Sequence, residues 1–285
     1  MGDRLGILQA MAAPSVKLAA FGLTDVGRQR EHNEDSLALV PEHGLFVVAD
    51  GMGGHQAGDV ASKLATKLIA DFFQAMAGED ATWPSNYNRT LSEEENRLVT
   101  GINLANRRIF EQSHRNQAHQ GMGTTVVGAL FSERRKRVYV GHVGDSRAYR
   151  IRGGEIVQMT KDHSLYNEPF PHMTESEREE LPRNVITRAL GMDGAVVVDL
   201  TNEELLIGDV YLLCSDGLSG MISDAQILEV ISANPEVHAA CVGLVQAAND
   251  QGGDDNITAI LVRVEVGVDE EATTQDLGPD TLKRL

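Results

Sequence analysis

Acidic residues recur in this chain where short apolar runs end. Asp50 directly follows Leu45-Phe46-Val47-Val48-Ala49 and precedes Gly51-Met52-Gly53-Gly54. Asp216 lies just past Tyr211-Leu212-Leu213-Cys214, with Ser215 between, and Gly217 follows it. Asp145 sits in Gly144-Asp145-Ser146-Arg147 after the run Tyr139 to Val143, and Asp254 and Asp255 precede Asn256 and the last apolar run. Glu34 and Asp35 stand just before Ser36 to Val40. A strand end is a rigid mount for a liganding side chain, and a neighbouring glycine lets the backbone turn and approach a ligand closely. Carboxylates gathered in one place repel unless a cation sits among them. All-oxygen ligands favour hard ions, Mg²⁺ or Mn²⁺, over zinc. Any one Asp-Gly is an ordinary turn; the set is what points to metal chemistry. No His-x-x-x-His or Cys-x-x-Cys spacing competes for a metal. Divalent ions held in this way could lower the pKa of a bound water toward neutral pH.

The rest of the composition is compatible with that chemistry. The 285 residues make one large domain or two small ones, and 42% hydrophobic residues are enough for a core. A formal net charge of -17 repels nucleic acid and anionic membrane surfaces, so neither is expected as a partner. It also means that a phosphorylated substrate needs local positive charge, which metal ions could supply. The two cysteines, Cys214 and Cys241, form neither a disulfide framework nor a zinc site and are read as reduced, buried thiols. No apolar stretch is long enough to span a bilayer, and the N-terminus has no sustained apolar core behind a charged region, so a cytoplasmic protein is expected.

The elements that must position these residues follow from the pattern of apolar runs. Strands are expected at Val16 to Leu23, Gly44 to Ala49, Thr124 to Phe131, Arg137 to Val143 and Arg147 to Ile151, the last ending in a Gly153-Gly154 hairpin. Val196 to Asp199, Val210 to Cys214 and Asn256 to Val264 complete the strands. Helical period marks Ala57 to Met76, Glu93 to Ser113, Asp224 to Ala233 and Pro235 to Asn249. This order lacks strict strand–helix alternation and predicts antiparallel sheets stacked together with helices outside. Residues 1–13 read as a loose leader, 14–266 as one domain, and 267–285 as an acidic mobile tail.

The ordered set resembles the PPM (type 2C) metal-dependent protein phosphatases in their compact bacterial form. It comprises Asp50-Gly51-Met52-Gly53-Gly54-His55, Gly144-Asp145-Ser146-Arg147, Ser215-Asp216-Gly217-Leu218 and Gly253-Asp254-Asp255-Asn256-Ile257-Thr258, preceded by Arg30, Asn33, Glu34 and Asp35. The likeness covers Lys17 to Val264. It implies an α+β fold, a four-layer α-β-β-α sandwich with two antiparallel sheets flanked by helix pairs. It implies that Asp50 bridges two Mn²⁺ or Mg²⁺ ions and that the Gly51 carbonyl completes one ion's protein ligands. Asp216 and Asp255 would hold the other ion, with Glu34 contributing directly or through water, and Asp145 with Asp216 would form a third metal position. Arg30 would grip the substrate phosphate and Asp35 would order water. The implied activity is hydrolysis of phosphoserine and phosphothreonine in proteins without a phosphoenzyme. The implied partners are bacterial serine/threonine kinases and their targets, met by a monomer.

Departures leave questions open. Met52 follows Asp50-Gly51 where some members carry a histidine, so the general acid is unassigned among metal-bound water, His55 or another group. His55, His142 and His163 are read first as structural. Asp254 reads as a turn residue and Arg188 as structural. A segment at about 161–190 resembles a flap beside the active site, with Pro169 and Pro171 in a rigid turn and Thr174 capping an acidic run through Glu177. That run reads equally as a solvated face or a substrate-selecting lid. Two other readings share the fold: an inactive phosphoprotein-binding module, which should have lost metal carboxylates, and a phosphatase dedicated to one regulatory partner.

Overall fold

A computed structural model describes residues 15–53, 57–77, 83, 87–168, 170, 173–182 and 185–267. The expected leader, nearly all of the expected tail, and His55, Pro169 and Pro171 lie outside them. Among the described residues eleven strands run in chain order: β1 Val16–Asp25, β2 Asp35–Val40, β3 Leu45–Met52, β4 Gly123–Thr124, β5 Val126–Ser132, β6 Arg137–Val143, β7 Arg147–Arg152, β8 Glu155–Gln158, β9 Asp199–Glu204, β10 Val210–Cys214 and β11 Ile257–Val266. The helices are α1 Ala57–Ala75, α2 Glu93–Arg115, α3 Glu175–Glu179, α4 Asp216–Ser219, α5 Asp224–Ala233 and α6 Val237–Asp250. One antiparallel sheet has the order β1-β11-β10-β7-β8 and the other β2-β3-β5-β6-β9, with the short β4 paired to β3.

Strand alternation builds the layers. On β3, Leu45, Val47 and Ala49 face the α1/α2 side, where Ala61, Ala65 and Ile69 of α1 and Leu98, Ile102 and Ile109 of α2 recur at helical spacing. Phe46 and Val48 face the other way, into a core shared with Tyr211, Leu213, Ile260 and Val262 of the second sheet. The opposite face of that sheet, Leu212, Cys214, Ala259 and Leu261, packs on Ile227 and Ile231 of α5 and Cys241 and Leu244 of α6. Three apolar layers thus separate four structural ones, as the α-β-β-α expectation requires. Each fully buried aliphatic or aromatic side chain contributes about 1.5–3 kcal/mol.

Ser92 and Glu95 form a reciprocal capping box that starts α2, and Ser223 with Gln226 does the same for α5. The box predicted at Thr174 and Glu177 also forms, at the start of the exposed α3. Two expectations shift. β3 continues through Asp50 to Met52 instead of ending at Ala49. β9 starts at Asp199, where the expected strand ends. Val196 and Val198 pack against the α1/α2 core without strand pairing. β9 itself is a polar edge strand, whose Asn202 and Glu203 are held by Arg137 and Arg150.

Candidate metal centre

The core between the sheets turns polar at one end. Asp35, Thr125, Ser146, Ser215 and Thr258 are all buried there. Ser215 Oγ and Thr258 Oγ1 donate to Asp35 Oδ2 at 2.8 and 2.6 Å, and Thr258 N donates to Ser215 Oγ at 3.0 Å. Thr125 Oγ1 accepts from Asp50 N at 3.1 Å and meets Ser146 Oγ at 2.7 Å, while Thr124 Oγ1 and Thr125 N both donate to Asp50 O at 2.8 Å. These bonds fix the β3 end and join it to the turn that carries Asp145.

Above this polar layer opens a cleft of about 410 Å³ lined by Arg30, Glu34, Asp50, Gly51, Asp216 and Asp255, together with His32, Met52, Ile186 and Asn256. Six of the eight predicted site residues therefore meet in one cleft. Asp35 and Asp145 are buried outside its lining, close enough to raise the proton affinity of Asp50. Among the described lining residues His32 is the one imidazole. A larger cleft, about 710 Å³ at the C-terminal end of α2, has no carboxylate in its lining. It is the poorer place for a cation.

The electrostatics are those of crowded carboxylates. Burial first, then repulsion from Asp35 and Asp216, holds Asp50 well above the ordinary carboxylate range. Burial raises Asp216 despite a hydrogen bond from Asp50, and Asp255 adds to the rise. Burial pushes Asp35 up to about 7 against the help of Thr258 and Ser215, and Asp145 up to about 7 with Asp216 and Asp162 adding repulsion. Glu34 is also raised, mainly by burial. Asp35 Oδ1, Asp145 Oδ1 and Asp216 Oδ1 are buried without a hydrogen-bond partner. Unpaired anionic oxygens in a dry setting are strongly unfavourable. Divalent cations relieve both the repulsion and the missing contacts, so the donor set fits Mn²⁺ or Mg²⁺.

Arg30 places Nη2 2.7 Å from Asp255 Oδ2, and its Nε donates to Asp254 O at 3.4 Å. The side chain of Asp254 does not line the cleft.

Some residues had no role read from the sequence. Asn256 accepts from Glu34 N at 2.7 Å and donates to Val26 O and His32 O at 2.9 Å, so it shapes the whole loop carrying Arg30 and Glu34. Its only signal was its place beside Asp255. Gly58, in the first turn of α1, passes so close to Glu34 that a Cβ there would lie 2.5 Å from Oε2. A glycine opening an otherwise regular helical run was the available sign. Ser215, Thr125 and Thr258 carried no signal apart from proximity to the acidic residues.

The pattern described as Protein phosphatase 2C matches residues 26–261. The chain belongs to the protein phosphatase 2C family. It is 36% identical over 246 residues to the serine/threonine phosphatase stp of Listeria innocua, covering 84% of this chain and 93% of that one. It is likewise 36% identical over 247 residues to the protein phosphatase PhpP of Streptococcus pneumoniae, covering 84% and 95%. The crystal structure of the catalytic domain of the serine threonine protein phosphatase PstP, in complex with two manganese ions, superposes with a TM-score of 0.72 at 35% identity, covering 88% of this chain and all of that one. The Streptococcus agalactiae serine/threonine phosphatase gives 0.74 at 34% identity, covering 87% of this chain and 100% of that one. In this protein phosphatase 2C chain the two sheets supply different parts of the cleft: Glu34 just before β2 and Asp50 on β3 come from one, and Asp216 just after β10 and Asp255 just before β11 from the other.

Proposed function

We propose that this chain is a metal-dependent protein serine/threonine phosphatase. The supporting observation is the convergence of Glu34, Asp50, Asp216 and Asp255 on a cleft that also holds Arg30, with unpartnered buried oxygens on Asp216 and on nearby Asp35 and Asp145. Asp50 would bridge two Mn²⁺ or Mg²⁺ ions, the Gly51 carbonyl would complete the ligands of one, and Asp216 and Asp255 with Glu34 would hold the other. Asp145 with Asp216 would form a third position. When bound, such ions supply Lewis-acid charge and a water acidified toward neutral pH.

The chain's own residues do the rest. Arg30, released from Asp255, offers two N–H groups to phosphoryl oxygens and meets the charge that grows there. Asp35 is pinned through Oδ2, which leaves Oδ1 to accept from water and orient it. Burial pushes both cysteine thiols up to about 12, so neither is a thiolate nucleophile near neutral pH, and a cysteinyl-phosphate route is disfavoured. The binding-module reading would require lost carboxylates, and every expected one is present.

The substrates are phosphorylated proteins, with serine/threonine kinases and their targets as the physiological set, met in the cytoplasm by a monomer. No helix of the described residues is long and apolar enough to cross a membrane. The test is phosphate release from a phosphothreonine peptide with Mn²⁺, Mg²⁺ or EDTA. Activity that needs metal and vanishes in Asp50→Ala and Asp216→Ala supports the reading, and activity that survives EDTA or either substitution refutes it.

A further inference from the structure

The turn bearing Asp145 is held from an unexpected direction. Gly144 adopts φ +108°, where a side chain would press on Thr125. Its N–H donates to His163 Nδ1 at 3.0 Å, and its carbonyl accepts from His163 N at 3.0 Å. His163 is 3% exposed. Its other ring nitrogen, Nε2, lies 3.3 Å from Asp199 Oδ2, and Arg188 Nη1 holds the second oxygen of Asp199 at 2.8 Å. His142 stacks on the His163 ring, with centroids 4.6 Å apart, and is fixed by its own Nε2 donating to Lys161 O at 2.9 Å.

The donor atoms of His142, His163 and Asp199 lie within 4.8 Å of one another, a spacing that a metal ion could use. The protons argue otherwise. Because Gly144 N–H donates to Nδ1, that nitrogen carries a lone pair, so a neutral His163 must carry its proton on Nε2. Binding a metal through Nε2 would require an imidazolate or the loss of the Gly144 bond. That proton then lies on the side of Asp199, whose Oδ2 is 3.3 Å from Nε2 without hydrogen-bond alignment. The arrangement is a carboxylate placed beside an imidazole whose other nitrogen holds a backbone turn.

We infer that Asp199 and His163 form a positioning pair that sets the Gly144–Asp145 turn and couples it to the segment at 161–190. The inference rests on Asp145 as a metal ligand, as proposed above. The coupling is continuous: Thr187 N donates to His163 O at 2.8 Å, Leu165 N to Val185 O at 2.8 Å, and Ile186, between Val185 and Thr187, lines the cleft. On the other side of Asp145, Arg147 grips Asp162 through both carboxylate oxygens. A substrate that presses on Ile186 therefore acts on a segment linked through His163 to the Asp145 turn.

Calorimetric titration of the full chain with Mn²⁺ tests this without using activity, and thermal melting of each variant identifies general loosening. Asp145→Ala should abolish the weakest binding step. His163→Ala and Asp199→Asn should weaken that same step about tenfold and leave the tighter steps unchanged. His163→Asn, which keeps an acceptor for Gly144 N–H, should lose less than His163→Ala. Nitrogen-15 histidine spectra should find the His163 proton on Nε2. The inference is overturned if Asp145→Ala removes the step while the His163 and Asp199 variants titrate like the unaltered chain. It also fails if all steps weaken equally with a lowered melting temperature, or if the proton sits on Nδ1. An unchanged titration for Asp145→Ala would remove the ligand reading and this inference with it.

Discussion

Arg30 and Asp255 are half-exposed partners, with side-chain exposures of 54% and 38%. A pair this open contributes at most about 1 kcal/mol, so a dianionic phosphoryl group can draw Arg30 away at small cost. Arg30→Ala should lower kcat/KM for a phosphopeptide about a hundredfold, the scale for losing a donor to developing oxyanion charge. Arg30→Lys should recover only part of that, because an ammonium lacks the two-pronged geometry. Steady-state kinetics with both variants decide it, and equal activity of Arg30→Ala and the unaltered chain would rule it out. The carboxylates were legible because acidic residues recur where apolar runs end, whereas Arg30 came only with the family resemblance. The sequence hid Ser215, Thr258 and Thr125, which are ordinary hydroxyl residues until the fold acts on them. Thr258 reaches Asp35 across 223 positions of chain, a contact that no local pattern encodes.

At the level of elements, α1 and the β3 end must meet with almost no space between them. Gly51 and Gly58 face each other across this junction, and Glu34 lies against both. In an exposed helix, Gly→Ala gains about 1 kcal/mol from propensity. At Gly58 the new Cβ would lie 2.7 Å from the Gly51 carbonyl carbon, which is backbone and cannot simply rotate aside. Strain wins, so Gly58→Ala should lower the melting temperature and cut kcat/KM at least about tenfold by displacing Glu34. A raised melting temperature would show that the junction has slack. Asn256→Ala should cost about 2–4 kcal/mol in a denaturant melt, because it removes three hydrogen bonds made by a buried side chain. The helices and their caps were legible because period and capping chemistry are local. The four-residue α4 that starts at Asp216 was not, since nothing in Asp216–Ser219 distinguishes a helical turn from a loop. The edge strand β9 was displaced in the reading because its residues are polar and are stabilised by Arg137 from the adjacent β6 and Arg150 from β7 of the other sheet.

Across the whole molecule, carboxylates from both sheets meet in a chain that already carries a net charge of -17, and without cations this repulsion works against the sandwich. Asp35 and Asp145 bind protons at about 7 in the folded chain against an ordinary 3.8. Between those values the folded state holds more protons than the unfolded one, so stability must fall as pH rises from about 4 to about 7, then level off. The growing negative charge pushes in the same direction. In EDTA the chain should therefore melt several degrees higher at about pH 5 than at about pH 8. Mn²⁺ should reverse the order, because deprotonated carboxylates bind it better and an ion held by both sheets favours only the folded state. Asp216→Asn should lose most of the Mn²⁺ gain at the higher pH while melting higher than the unaltered chain in EDTA, since one repelling charge is gone. Scanning calorimetry at the two pH values, with and without Mn²⁺, reads all of these signs. A metal-free chain that is more stable at the higher pH would mean that the carboxylates are already compensated within the protein, and the need for cations would then have to be argued from catalysis alone.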